Sequence, residues 1–252
     1  MSSNAIEYQI IQPESSLMDF VDSFWLLINH SDEEKNIVLL PDGRFDLFFG
    51  YSEKEAFHIS LSGIDTEASN TTIPPKTVIY AISFKILALE YILKRTISEY
   101  VNAVTLLPTD FWQINRNDLS DLELFKSTVS EKMHTLLHAN VDERKLKMSQ
   151  LIYSSNGAIS VQEIADSCGW SSRQINRYFQ QWIGVSLKNY LTILRFRATF
   201  TQIKAGKLFP EQHYTDQAHF IREVRKFSNV IPKELKNNTD DRFIQFSLLK
   251  KK

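Results

Sequence analysis

The run Ser160-Val161-Gln162-Glu163-Ile164-Ala165-Asp166-Ser167-Cys168-Gly169-Trp170-Ser171-Ser172-Arg173-Gln174-Ile175-Asn176-Arg177-Tyr178-Phe179-Gln180-Gln181-Trp182-Ile183 decides the fold. Ser160 followed by Glu163 is a capping box, in which the hydroxyl serves the helix start and the carboxylate reaches back. The helix it opens carries Val161, Ile164, Ala165 and Cys168 on its inner side. Gly169 ends it, since glycine suits a left-handed C-terminal cap. Trp170 plugs the turn, and Ser171 with Gln174 makes a second capping box. The following helix places Ile175, Tyr178, Phe179, Trp182 and Ile183 at offsets 0, 3, 4, 7 and 8, one apolar stripe of helical period. Two capped helices joined by a short turn containing glycine predict a helix-turn-helix.

The stripe opposite holds Ser172, Arg173, Asn176, Arg177 and Gln180 and no acidic residue. Arginine bonds guanine O6 and N7 together, and asparagine or glutamine does the same to adenine N6 and N7. A helix ~10–12 Å across also fits the ~12 Å major groove. The second helix is therefore read as a recognition helix. Arg173, Asn176 and Arg177 are its expected base readers, and Ser172 and Gln180 are expected at the DNA backbone.

Working downstream, Ser186 caps a long helix whose seam is Leu187, Tyr190, Leu191, Leu194 and Ala198, ending near Ala205-Gly206. About nineteen residues give roughly 28 Å. Thr215 or Asp216 then caps a further segment in which Phe220, Val224 and Phe227 face in, while Gln217, Ala218, Ile221, Arg222 and Arg225 face out. This reads as a second recognition helix, with Gln217, Ala218 and Arg222 toward bases. Successive major-groove segments on one face of B-DNA lie ~34 Å apart, within reach of a linker of that length. Lys188, Arg195, Arg197, Arg225 and Lys226 are expected to supply backbone attraction, which positions without specifying.

Charge supports a division of labour. The chain has 252 residues, 29 Lys+Arg and 30 Asp+Glu, for a net of −1. Residues 1–140 hold 10 Lys+Arg and 20 Asp+Glu, a net of −10, whereas residues 141–252 hold 19 and 10, a net of +9. That asymmetry implies two domains with different partners, the second suited to a polyanion. A hydrophobic content of 43 % and an aromatic content of 12 % are enough to build packed cores. The single cysteine, Cys168, excludes a disulfide framework and fits a reducing compartment. Apolar runs reach about five residues against the ~20 needed to span a bilayer. Met1-Ser2-Ser3-Asn4 opens no basic-then-apolar leader. The expectation is a soluble, cytoplasmic protein with no membrane partner.

The front half reads differently. Ile37–Leu40 stops at Pro41-Asp42-Gly43, and Phe45–Phe49 follows, which predicts a hairpin pairing Leu39/Leu40 with Phe45/Leu47. Phe57–Leu61 and Thr77–Phe84 read as strands, and Leu17–Val21 and Ile86–Lys94 as short helices. Such spacing predicts a small sandwich or barrel, cupin-type included. From Asp118 the period turns helical, with Leu119, Leu122, Phe125, Val129, Met133, Leu136 and Leu137 on one face, then Leu146 to Tyr153. The expected fold is α+β: a β-rich sensor or dimerisation domain over 1–105, a helical connector over 106–140, and an all-α double helix-turn-helix domain over 141–252.

No residue pattern supports an enzyme. His30, His58, His134, His138, His213 and His219 show no metal-ligand spacing beyond His134 and His138 at i, i+4, which lack a nearby third ligand. Cys168 falls on a buried helix side, and no phosphate loop or nucleophile elbow occurs. Asp42 and Asp46 read as turn residues, and Trp25, Phe45, Phe48 and Phe49 as core. No cofactor and no metal are expected.

About 100 residues, Arg144 to Leu235, resemble the AraC/XylS family of bacterial transcription regulators. The resemblance rests on Ile164-Ala165-x-x-x-Gly169-Trp170-Ser171, Arg177-x-Phe179, Gly184-Val185-Ser186, Arg195-Phe196-Arg197, Asp216-Gln217-x-His219-Phe220-Ile221-Arg222 and Ile231-Pro232-Lys233. It implies a seven-helix, two-motif domain on duplex DNA, with Ile164, Ala165, Gly169, Trp170, Ile175, Phe179 and Phe220 as framework. Base-contacting positions carry over to Arg173, Asn176 and Arg177, then Gln217, Ala218 and Arg222. Pro41-Asp42-Gly43-Arg44-Phe45-Asp46-Leu47 is similar to a Pro-Asp-Gly-x-x-Asp-Leu hairpin of the sensor domain in some members. The chain departs from the family in the second unit. There Lys207–His213 is short, carries Pro210 and has His213 for glycine, and Val224 replaces a larger aromatic residue. This predicts a shortened second unit. In the front half, Phe84-Lys85-Ile86-Leu87-Ala88 replaces a phenylalanine-and-glycine segment.

The expected function is sequence-specific regulation of transcription, activating or repressing, through two recognition helices. Partners allowed by this reading are a small-molecule effector, a second copy of the chain and RNA polymerase. The rival expectation is a small-molecule-binding or protein-interaction protein whose helical domain has lost specific DNA binding.

Overall fold

The computed structural model describes residues 6–137, 140–210 and 214–248, with the side chains of 247 and 248 left out. A β-sheet front half precedes a helical back half. Six strands form one antiparallel sheet: β1 (Ile6–Ile11), β2 (Val21–Asn29), β4 (Phe45–Tyr51), β5 (His58–Ser62), β7 (Val78–Phe84) and β8 (Val104–Leu107). Their order is β1-β2-β7-β4-β5-β8. β3 (Lys35–Leu39) and β6 (Ser69–Ile73) pair separately as a two-stranded sheet. β1 and β8 both stand at an edge, so among the described residues the sheet stays open where a closed barrel was one expectation.

Strand β2, Val-Asp-Ser-Phe-Trp-Leu-Leu-Ile-Asn, is apolar enough to be covered on both faces. Phe24 and Leu26 enter the main core, and Leu27 enters a smaller cluster with Ile37, Ile73 and Ile244. The main core is completed by α1 (Leu122–Leu136), whose Phe125 ring lies 5.4 Å from Phe49, 5.3 Å from Tyr80 and 6.4 Å from Phe24. The segment expected to be a connector thus packs as a lid on the sheet. Burying an aromatic side chain in this way stabilises by about 2–3 kcal/mol.

The expected hairpin does not form. Leu39 belongs to β3 and pairs with β6, while Phe45 opposite Phe84 begins the β4–β7 ladder. The reason lies 205 positions away: Gln245 accepts from the Leu40 amide (3.2 Å) and donates to its carbonyl (3.0 Å), taking both groups a hairpin needs. Asp42 instead accepts from the Arg44 amide at 3.0 Å, turning a corner between the sheets. Gly43 holds φ +75° there, and a Cβ on it would stand 2.6 Å from Leu194. Only glycine lets this corner lie against the helical half. The expected helix at Leu17–Val21 shrinks to a 3-10 turn over Ser15–Leu17, because Val21 pairs with Phe84 and so joins the sheet. Ile86–Lys94 does wind, but as a π turn over Leu89–Leu93 closed by Lys94 in the left-handed region.

The back half contains α2 (Glu143–Ser154), α3 (Val161–Cys168), α4 (Ser172–Trp182), α5 (Leu187–Lys204), α6 (Gln217–Ser228), α7 (Pro232–Asn237) and α8 (Ile244–Leu248). Helix α5 sits on the Gly43 corner. A hydrogen-bond relay runs from the Ile86 amide to the Tyr153 hydroxyl (2.9 Å), on to the Tyr190 hydroxyl (2.8 Å) and then to the Gly43 carbonyl (2.7 Å). Such buried polar groups are costly unless paired, and here each is. Glu90 on the π turn contacts Lys145 and accepts from the Tyr178 hydroxyl at 3.3 Å. One apolar cluster runs without a break through both halves. Among the described residues no helix is long and apolar enough to cross a membrane.

Candidate nucleic-acid interface

Helices α3 and α4 start where the serines direct. Ser160 Oγ accepts from the Glu163 amide at 3.1 Å, and Glu163 accepts from the Ser160 amide at 2.9 Å. Those bonds hold the Glu163 carboxyl below the ordinary carboxylate range. Ser171 and Gln174 repeat the box, at 3.3 and 2.8 Å. Gly169 ends α3 at φ +65°. Ile164, Ala165, Cys168, Ile175 and Phe179 are buried at the junction, and the Trp170 ring stands edge-on to Tyr178 at 5.9 Å. Burial pushes the Cys168 thiol up, away from reactive thiolate character.

This frame points the outer face of α4 at solvent. Arg173, Arg177 and Gln180 are exposed, and no acidic residue lies in the helix's first turn or beyond. Ser172 is half-buried, its hydroxyl donating to Gln162 at 3.3 Å. Asn176 lies elsewhere than expected. Its amide nitrogen donates to the Ser172 carbonyl at 3.0 Å, and its oxygen accepts from the Leu187 amide at 3.2 Å. The side chain expected at a base therefore ties α4 to the first turn of α5, satisfying a donor that a helix start leaves open.

Helix α5 is capped by Ser186, which accepts from the Asn189 amide at 3.2 Å. Its 18 residues span roughly 27 Å. Lys188 is exposed along it. Arg195 and Arg197, expected at phosphates, turn inward. Arg195 bonds both carboxylate oxygens of buried Glu223 at 3.2 and 3.0 Å. Arg197 reaches across to Asp22 of the front half at 3.0 Å, and Asp22 also holds Arg44 at 3.1 Å. Burial opposes ionisation of Asp22, yet the Arg197 and Arg44 guanidiniums outweigh it and keep the carboxyl below its usual range. Both arginines are drawn in because two carboxylates far away in sequence need partners.

Asp216 caps α6 by accepting from the His219 amide at 2.8 Å. Phe220, Val224 and Phe227 are buried beneath it, and Gln217, Ala218, Arg222, Arg225 and Lys226 are exposed. Ahead of α6, residues 207–210 form no helix, and His213 lies outside the described residues, as does His138. Pro210, which a helix interior rejects, fits that short entry. His134 meets Glu14 on the far side of α1.

Residues 9–105 match a family described as a domain of unknown function, DUF6597. No curated protein matches the chain. Among solved structures the chain is similar to ToxT from Vibrio cholerae. An apo variant of ToxT is 13 % identical over 90 % of this chain and 99 % of that one, with a TM-score of 0.45. ToxT bound to a methylnaphthalenyl butenoic acid is 14 % identical over 93 % and 99 %, with a TM-score of 0.42.

Proposed function

We propose that the chain is a sequence-specific double-stranded DNA-binding regulator of transcription, of the AraC/XylS type its motifs resemble. The observation that carries this is the outer face of α4: two exposed arginines and a glutamine, free of acid, on a helix fixed at its start by a complete capping box. Such a face suits direct readout, and Arg173 and Arg177 are its base-reading candidates. Lys188 extends the electrostatic footprint and Gln180 offers a neutral hydrogen bond to the DNA backbone, while α6 offers Gln217, Ala218 and Arg222 to a second groove segment, with Arg225 and Lys226 toward phosphate. Asn176 acts from behind, by holding α4 against α5. The division into domains over 1–105, 106–140 and 141–252 belongs to the same proposal, as do a homodimer, RNA polymerase as partner and a bacterial cytoplasm. A small-molecule effector acting through the front half is part of the proposal as well, at a site other than the point where Phe125 packs on Phe49 and Tyr80.

The test is a mobility shift on duplex selected from a random pool, at two salt concentrations. Affinity should fall steeply with salt as phosphates are neutralised. Arg173→Ala should cost about 1–3 kcal/mol and relax preference at one base pair. Asn176→Ala should weaken all duplexes by a common factor. An equal loss for Arg173→Ala on random duplexes reassigns that residue to phosphate. The inward pairing of Arg195 and Arg197 and the short entry to α6 favour a second reading, a protein-interaction or small-molecule-binding protein without specific DNA binding. Failure to select any sequence from the pool would overturn the first reading and leave this one standing.

A further inference from the structure

The C-terminal segment after α7 joins the two-stranded sheet to α5 and α6. At one end it lies on the two-stranded sheet. The Val38 amide donates to the Arg242 carbonyl at 2.6 Å, Val38 bridges Phe243 in parallel, and Lys35 donates to the Asp240 carbonyl at 2.8 Å. Gln245 takes both backbone groups of Leu40, as a strand would. Ile244 is buried with Leu27, Ile37 and Ile73. Two residues later the chain faces the other way. The Phe246 ring lies 5.0 Å from Phe200, Phe200 lies 5.0 Å from Phe196, and Phe196 stacks on Phe227 at 5.2 Å. Phe227 is on α6. Lys204 of α5 donates to the Phe246 carbonyl, tying down the same turn.

The backbone leading in turns through the left-handed region. Asn238, Asp240 and Asp241 have φ of +39°, +58° and +52°, a region that asparagine and aspartate enter more readily than other residues with a side chain. The Asn238 side chain clamps the turn, accepting from the Phe243 amide at 2.7 Å and donating to its carbonyl at 3.2 Å. Meanwhile the segment ahead of α6, where the scaffold helix of a helix-turn-helix should stand, is not helical over residues 207–210.

We propose that Phe243–Phe246 is a clasp that positions α6 from the front sheet, where residues 207–210 supply no helix, so that the second reading helix depends on residues that touch no DNA. Ile244 and Gln245 are then positioning residues. The proposal rests on the DNA-binding reading for its consequence, but its mechanical part stands on the aromatic chain from Phe246 to Phe227.

The test compares full-length Ile244→Asp and Gln245→Ala with the parent by amide exchange and by binding to the selected duplex and its single-half-site mutants. Ile244→Asp should speed exchange across 217–228 about tenfold or more while 172–182 stays near the parent. Discrimination at the half-site read by α6 should drop about tenfold, with the other half-site unaffected. Gln245→Ala, which removes only two hydrogen bonds, should act in the same direction about threefold. The clasp is overturned if only 35–40 and 69–73 exchange faster and half-site discrimination persists. It is equally overturned if both units loosen together in both variants. A parent protein that selects no duplex overturns the DNA reading, and exchange across 217–228 then decides the clasp alone.

Discussion

The two units that present candidate reading helices are steadied from different distances. In the first, α3 and α4 carry their own instructions: two capping boxes, a left-handed Gly169 and a core of Ile164, Ala165, Ile175 and Phe179 drawn from a stretch of some twenty residues. The front half adds to it from behind, through the Glu90–Tyr178 bond, the Ile97 amide on the Trp182 carbonyl at 2.9 Å and the approach of Ser98 to Gly184. In the second, α6 has one capping residue and no helical entry over residues 207–210. Local contacts add to it, with Tyr214 edge-on to Phe220 at 5.2 Å and α7 packed alongside, but its remaining support comes from Arg195, 28 positions before Glu223, and from the aromatic chain that ends at Phe246. Local contacts close short loops at small entropic cost, whereas remote ones must overcome the freedom of the chain between them. A unit held locally should open as part of the whole molecule, and a unit held remotely should open first.

The largest test of that contrast removes one core ring from each unit. Phe179→Ala and Phe227→Ala should each cost about 3–5 kcal/mol in urea unfolding. Phe179 packs against Tyr190 at 5.5 Å, beside the relay that links the two halves, so its loss should raise exchange in both halves together. Loss of Phe227 should raise it first across α6 and leave α4 protected. Identical exchange patterns from the two variants would erase the distinction. A smaller test is Glu223→Gln. It leaves the half-buried Arg195 guanidinium without its counter-charge and should cost about 1.5–3 kcal/mol, felt in α5 and α6 and not in α3. A loss spread evenly over all helices would show that the second unit is no less integrated than the first.

The same contrast explains what could be read in advance. Helix starts at Ser160, Ser171, Ser186 and Asp216 were legible because a cap is decided within four residues. Strands at His58–Ser62 and Val78–Phe84 were legible from local alternation and flanking turns. The hairpin was not, because Gln245 withdraws Leu40 from it across 205 positions. The inward turn of Arg197 depends on Asp22, 175 positions earlier, and that of Asn176 on the amide of Leu187. In each case the residue type was equally suited to a solvent-facing role and to a buried pair, and only the tertiary neighbour decides. A signal did exist for Arg195 and Arg197: two residues apart on α5, they lie on opposite flanks of its apolar seam, so each borders a different packed neighbour. The lid formed by α1 could likewise have been suspected from Phe125, a large ring at the centre of an amphipathic stripe with the whole sheet as its nearest apolar surface.

The finest test separates position from stability inside the first unit. Ser160→Ala and Ser171→Ala remove equivalent caps, so each should cost about 1 kcal/mol, and the two costs should add, since they serve different helix starts. Their effects on DNA should differ. Ser171 governs the turn that carries Ser172 and Arg173, and fraying there moves the guanidinium proposed to read a base. Ser160 governs α3, whose exposed residues are not proposed to touch a base. Ser171→Ala should therefore lose discrimination at the base pair assigned to Arg173, while Ser160→Ala should keep it at the same loss of stability. Equal losses of discrimination would mean that the caps act on binding only by setting how much of the protein is folded, and the local autonomy claimed for the first unit would fall with that result.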